Sequence, residues 1–430
     1  MNREILRLAI PNILSNISVP LLSTVDTALM GNVSPLHLGS IGLGGMIFNF
    51  IYWNFGFLRM GTTGMTAQAY GADDQDEIAH LLLRVCLVAI TIAGLLVLFS
   101  GPLIQLTTWA MNVQPEHYDL VTQYVSTRIW DAPATLLLYG LLGWFFGMQD
   151  AVVPLVITVI INVLNIILSI YFVKVQGLDV IGVALGTVIA QYSGVALCIA
   201  ALLWKYRTYI QFDLAKSFDG EKLLGFFRVN SDLFIRTICL SSTFFFFYRE
   251  SSGYGEVLLA VNVIIQQFLS WLSYGIDGIA YAAESLVGKY TGANQPKKTA
   301  ALIKRLLAWG LGFALVYSVV FGIWYEPLVQ IFNDDVEVAT VALDYRWWAI
   351  AFPIIGFGCY IWDGIYVGLT ASKTMRNTMF ISLVIYLATY YVCLPYFGSD
   401  AIWIALAMFL GLRGVLLTTL YWQRGLTLLR

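Results

Sequence analysis

The chain has 430 residues, 59% hydrophobic and 12% charged, with a mean hydropathy of +0.76 and a net charge of −2. Soluble domains carry about 25% charged residues, so this composition points to an integral membrane protein, and a charge near zero offers no basic surface to a nucleic acid. Five isolated cysteines (Cys86, Cys198, Cys239, Cys359, Cys393) form no CxxC pair and read as small buried hydrophobes. The N-terminus shows no charged stretch followed by a small-residue cleavage site, so the first apolar segment is expected to stay as a helix.

Twelve apolar stretches are long enough to cross about 30 Å of hydrocarbon as helices. They lie near 8–31, 38–66, 78–108, 118–147, 152–173, 180–204, 226–248, 256–288, 300–325, 338–369, 374–397 and 400–421. They lack the alternation of a membrane barrel, which leaves helices as the spanning element.

Span 1 carries one problem. Asp26 is the only charged side chain between Arg7 and His37, and an ionised Asp at mid-helix costs roughly 2.5–3.5 kcal/mol on insertion scales. The same span holds Pro11 and Pro20, each of which removes a backbone hydrogen bond. A hinge that bends as Asp26 changes charge and a static kink both fit that pattern.

Span 2 adds Arg59, and span 4 adds Arg128 and Asp131, three apart on one face and expected to pair with each other. Span 5 reads NVLNIILS over 162–169, with Asn165 and Ser169 one turn apart; span 6 supplies Thr187 and Gln191 at the same spacing. These groups offer oxygens and amides without positive charge. Near Asp26 they could hydrogen-bond its protonated form or complete an oxygen cage around a small cation such as Na⁺. Burial without a cationic partner disfavours the charged carboxylate and brings protonation within reach. A purely structural cluster joining spans 1, 5 and 6 is the bland reading.

The later spans hold more charge: Arg236 on span 7, Asp277 and Glu284 two turns apart on span 8, Asp363 on span 10 and Arg413 on span 12. Arg236, Asp277, Glu284 and Asp363 could form a neutralised internal network, equally suited to stabilising the protein or to binding substrate.

Lys and Arg flank the 2–3, 6–7 and 8–9 connections and both ends of the chain, while the opposite side is mostly acidic. The positive-inside rule then puts both termini in the cytoplasm of a multi-pass plasma-membrane protein. An internal repeat appears at an offset of 221: GAD 71–73 faces GAN 292–294, Asn112, Glu116 and Tyr124 face Asn333, Glu337 and Tyr345, Gly147 faces Gly368, and DVIGVAL 179–185 faces DAIWIAL 400–406. Six helices per repeat make a parallel 6+6 duplication. The expected fold is an all-α integral membrane protein of two six-helix lobes around a central cavity, with lobes at 1–213 and 226–430 and residues 214–225 forming part of a cytoplasmic linker.

No HExxH, GxSxG or P-loop pattern is present, so no enzyme chemistry, cofactor or ATP site is indicated and work must come from an ion gradient or a downhill substrate. The glycine pairs in GLGG 42–45, GWFFG 143–147 and GVALG 182–186 read as close-packing surfaces inside helices.

PNILSNISVPLLSTVDTALMG, FLRMGTTGMTAQAYGA, GWFFGMQDAVVPL and DGIAYAAESLVGKYTGA together resemble the multidrug and toxic compound extrusion (MATE) transporters, in the branch of the DNA-damage-inducible protein F type. The resemblance implies alternating access that exports cationic or amphipathic compounds against an inward flow of H⁺ or Na⁺. It implies a coupling site centred on Asp26, with Asn165, Thr187 and Tyr124, and a helix-1 bend at Pro11 rather than Pro20. Family members often carry a second aspartate where this chain has Ser169, which favours H⁺ over Na⁺. The expected partners are small lipophilic or cationic substrates and the bilayer, with the protein acting as a monomer. The alternative is a flippase for a lipid-linked saccharide, whose cavity would call for several arginines to hold pyrophosphate.

Overall fold

The computed structural model describes residues 1–31, 33–210, 219–332 and 335–425; within 19–23 and at Arg424 it describes the backbone alone. The part of the linker at 214–218 therefore lies outside the described residues.

Among the described residues every regular element is helical. Twelve spanning helices follow in order: α1 (Asn2–Gly31), α2 (Pro35–Gly71), α3 (Gln75–Leu98, continued by Ser100–Ala110), α4 (Pro115–Gly147), α5 (Val152–Val175), α6 (Asp179–Lys205), α7 (Gly220–Ser252), α8 (Glu256–Gly292), α9 (Pro296–Phe332), α10 (Val336–Asp344 and Arg346–Gly368), α11 (Ser372–Phe397) and α12 (Ala401–Arg424). Nine stretches of the described chain are apolar and long enough to cross a membrane, the last of them, Ser372–Gln423, holding α11 and α12 together.

Several spans are interrupted where hydropathy alone reads them as continuous. α2 breaks at Gly56, and α4 tightens into a 3₁₀ turn at Ile129–Asp131. In α9, Trp324 leaves helical geometry (φ −108°, ψ 19°) three residues before Pro327. A proline lacks the amide that would bond one turn back and its ring crowds the carbonyl four residues earlier, so the bend falls there.

The chain divides into two compact units, Leu14–Phe227 and Met1–Ile13 with Arg228–Arg430. This departs from a first lobe running from residue 1 to 213. The foot of α1 belongs with the second unit because it packs there: Gly278 of α8 has no Cβ, which admits Ile13 and the Ala9 carbonyl, and the Tyr290 hydroxyl donates to Glu4 at 3.0 Å. From Leu14 onward α1 belongs to the other unit, where Asn162 of α5 donates to Ser18 at 2.7 Å.

Within each unit the repeat is visible in backbone detail. In the first, a Cβ on Gly143 of α4 would lie 2.5 Å from the Arg59 carbonyl of α2, and one on Gly147 would lie 2.5 Å from Thr66. In the second, Gly364 of α10 presses against the Ala280 carbonyl of α8, and a Cβ on Gly368 would lie 2.8 Å from the Glu284 carbonyl. Each glycine and the backbone it meets on α2 or α8 recur 221 residues later or within a turn of it. The reading of GWFFG as a packing surface holds, since only glycine allows such an approach. The turns after α2 and α8 repeat as well, with Asp73 (φ 58°) matched by Asn294 (φ 52°), and those after α4 and α10 with Gln149 (φ 63°) matched by Thr370 (φ 52°).

The GMQDAVVPL stretch closes the first unit's α4–α5 corner. Asp150 Oδ1 accepts from the Val152 and Val153 amides at 3.0 and 3.2 Å, capping α5, while Oδ2 accepts from Lys205 and Tyr206 at 2.6 and 2.7 Å. Burial alone would push this carboxyl up; the bonds from Lys205, Tyr206 and the Val153 amide outweigh it and hold the group below its ordinary value.

Candidate coupling site

The site forms within the Leu14–Phe227 unit. α5 and α6 come together because Gly186 of α6 has no side chain: a Cβ there would lie 2.8 Å from Ser169 Oγ. That contact sets Asn165 opposite Thr187. Asn165 Nδ2 donates to Thr187 Oγ1 at 2.9 Å, Ser169 Oγ donates to Asn165 Oδ1 at 3.3 Å, and Thr187 Oγ1 donates to the Val183 carbonyl at 3.1 Å. All three side chains are buried.

Asp26 of α1 meets this cluster through Ser169, whose hydroxyl bears on its carboxyl. Its Oδ1 is buried and has no hydrogen-bond partner among the described residues. A carboxylate oxygen in that position costs on the order of 1–3 kcal/mol while ionised. Protonation removes the charge and turns one oxygen into a donor.

Tyr124 completes the set from α4. It is buried, it lies within electrostatic reach of Asp26, and its ring packs on Gly44 of α2. Its hydroxyl accepts from Arg128, one turn on. Arg128 also pairs with Asp131 at 3.4 Å, as the three-residue spacing predicts, and Tyr52 donates to the same carboxylate. The guanidinium stands 4.8 Å from the Phe48 ring centre, a favourable seat for a cation.

One expectation is corrected here. Asp26 is not confined to neutral neighbours, because the Arg128 charge acts on it directly. Span 1 carries no basic residue near Asp26, and position 128 is reached only when α4 folds beside it. The five candidates Asp26, Asn165, Ser169, Thr187 and Tyr124 are thus brought together, with Arg128, Asp131 and Tyr52 added behind them.

Pro11 is half-buried in α1, two residues before the boundary between the units, and Pro20 lies further along the same helix, its side chain outside what is described.

In the second unit Asp363 of α10 accepts from both Arg236 of α7 and Arg413 of α12, the latter at 2.6 Å. Arg413, noted on span 12 but left out of the expected network, is the member the fold adds. The Asp277 charge bears on Cys359 and Tyr360, and Glu284 is buried and engaged.

The MatE family model matches residues 11–171 and again 233–392, two segments spaced as the internal repeat is. The chain therefore belongs to the MatE family, whose members are transporters rather than enzymes. It is 32% identical to DNA damage-inducible protein F of Escherichia coli strain K12, over 99% of this chain and 93% of that one. It is 21% identical to a probable multidrug resistance protein NorM of Thermotoga maritima, over 80% of this chain and 74% of the relative. A crystal structure of a MATE protein in its straight conformation superposes with a TM-score of 0.89 at 19% identity, over 99% of this chain and 96% of the other.

Proposed function

We propose that the chain exports cationic or amphipathic organic compounds across the cytoplasmic membrane in exchange for protons, by alternating access, with Asp26 as the group that takes up and releases the proton. The observation that carries this reading is the buried, unpartnered Oδ1 of Asp26 beside the Ser169 hydroxyl. A proton satisfies that oxygen and leaves Ser169 free to accept. A bare Na⁺ gains from each carboxylate around it, and here Asp26 is the only acid among the five clustered side chains, with the positive Arg128 bearing on it. The donor set therefore suits H⁺ better than Na⁺.

Protonation changes the charge balance with Arg128 and Asp131, and α1 carries that change toward Pro11, where a missing amide lowers the cost of bending. The proton's release to the cytoplasm resets the carrier. Both termini are assigned to the cytoplasm on loop charge, and the protein acts as a monomer. The second unit's Arg236–Asp363–Arg413 triad serves as a brace joining α7, α10 and α12. A flippase for a lipid-linked saccharide would call for free arginines to hold pyrophosphate. Arg84 pairs with Glu77, Arg128 with Asp131, and Arg236 and Arg413 with Asp363, which supports the exporter instead.

The test uses proteoliposomes charged with either a pH gradient or a Na⁺ gradient. Export of a fluorescent cation is expected with the pH gradient, and Asp26→Asn is expected to abolish it, a loss of at least about a hundredfold, while melting as wild type. Transport driven by Na⁺ alone overturns the proton assignment.

A further inference from the structure

The second unit holds another acid–hydroxyl pair that the coupling scheme does not use. Adding 221 to Asn165 and Ser169 gives Tyr386 and Tyr390 of α11, and adding it to Asp26 gives Phe247 of α7. The acid is not lost from this repeat. It stands three residues on, at Glu250, and Tyr390 donates to its Oε2 at 2.9 Å. Replacing serine by tyrosine moves the hydroxyl outward by several ångströms, and the acid has shifted by three residues, roughly 4.5 Å along the helix, to meet it.

Around Glu250 the groups differ in kind from those around Asp26. The Tyr254 and Tyr390 hydroxyls share a hydrogen bond at 2.9 Å. Tyr386 is fully buried, its hydroxyl has no partner among the described residues, and it lies within electrostatic reach of Glu250. Phe246 packs edge-on to Tyr386 and Tyr390, with ring centres 5.7 and 5.1 Å apart. Glu250 and Tyr254 are themselves only half-buried, which leaves the carboxylate a way in. Arg249 is exposed, and consecutive helix residues point about 100° apart.

A structural tie between α7 and α11 needs only Tyr390 and Glu250. It gives no reason to bury a further phenol with nothing to bond, at about 1–3 kcal/mol. A carboxylate and neighbouring hydroxyl oxygens able to accept are the elements that recognise a positively charged nitrogen. We propose that Glu250, Tyr386 and Tyr390 form a binding subsite for the ammonium group of an organic cation, separate from Asp26. The first repeat handles the proton and the second contacts the cargo. This rests on the reading of the chain as an organic-cation exporter and adds where the charge of the cargo is held.

The full-length protein in detergent is titrated with ethidium by fluorescence at equilibrium, with no gradient present. Glu250→Gln is expected to weaken binding about tenfold, Tyr386→Phe about two- to threefold, and Glu250→Asp, which keeps the charge, by less than Glu250→Gln. Binding by Glu250→Gln equal to wild type overturns the subsite and leaves the exporter reading standing, as does an equal loss in the Gln and Asp variants. Absence of ethidium binding by wild type overturns both. If Glu250→Gln does not fold, Tyr386→Phe decides: it removes only an unpartnered hydroxyl, so unchanged binding in that variant overturns the subsite.

Discussion

The two repeats place different chemistry at matching positions. In the first, Asp26, Asn165, Ser169 and Thr187 make a buried polar cluster. In the second, the positions 221 residues on are Phe247, Tyr386, Tyr390 and Met408, and Phe247 is fully buried against Trp403 with ring centres 4.9 Å apart. The backbone contacts that hold each repeat together within itself, Gly143 on Arg59 and Gly364 on Ala280, are meanwhile preserved. Duplication kept the helix packing and let the polar groups diverge. One copy holds an acid in an unsatisfied setting, and the other fills the acid's own position with the apolar ring of Phe247, its acid standing three residues on at Glu250.

That contrast can be attacked from both sides. The largest effect is expected from Phe247→Asp, which puts an acid where the first repeat has one but without Arg128 or Ser169 behind it. A buried, unpaired charge costs about 3–5 kcal/mol, so this variant is expected to express poorly or to melt far below wild type. Melting close to wild type would show that the second unit can host the acid too.

Next come Gly143→Ala and Gly364→Ala. Each added methyl meets backbone, which cannot swing away, so each is expected to destabilise by about 1–3 kcal/mol. Thermal melts of the two variants should fall together; a loss confined to one would show that the shared packing has lost its importance in the other.

The smallest effect concerns a corner that each repeat ties with a carboxylate from a different position. Asp150 corresponds to Ala371, and the second unit uses instead Asp232 of α7, which accepts from Ser372 at 3.0 Å and from Arg376 at 2.5 Å. Asp150→Asn is expected to cost about 1 kcal/mol near neutral pH. Because the Asp150 carboxyl sits below its ordinary value, its stabilisation is complete above the usual carboxylate range and disappears as pH falls through the lower folded value. The difference in melting temperature between wild type and variant should therefore hold from pH 7 to about 5 and shrink below about pH 4. A difference that grows toward acid would contradict the assignment.

The helices and the repeat could be read in advance because both are written in local signals. Apolar runs mark the spans, and identical letters such as DVIGVAL and DAIWIAL mark the offset. Asn165, Ser169 and Thr187 were legible through their four-residue spacing and the family resemblance, and Asp26 through the cost of its charge. Arg128 acting on Asp26 was not, since the two lie on different helices and a sequence shows no distance between them. Arg413 joining Asp363 was hidden for the same reason. The breaks at Gly56 and Trp324 escaped because hydropathy is blind to backbone angle, although Pro327 stood three residues beyond the second.

The membership of Met1–Ile13 in the second unit has a consequence for how the gene could be divided. A cut in the linker yields two fragments of equal helix count, but the later one would lack the thirteen residues whose Glu4, Ala9 and Ile13 seat against Gly278 and Tyr290. Duplication thus left the second copy sharing contacts with the foot of a helix that the first copy supplies.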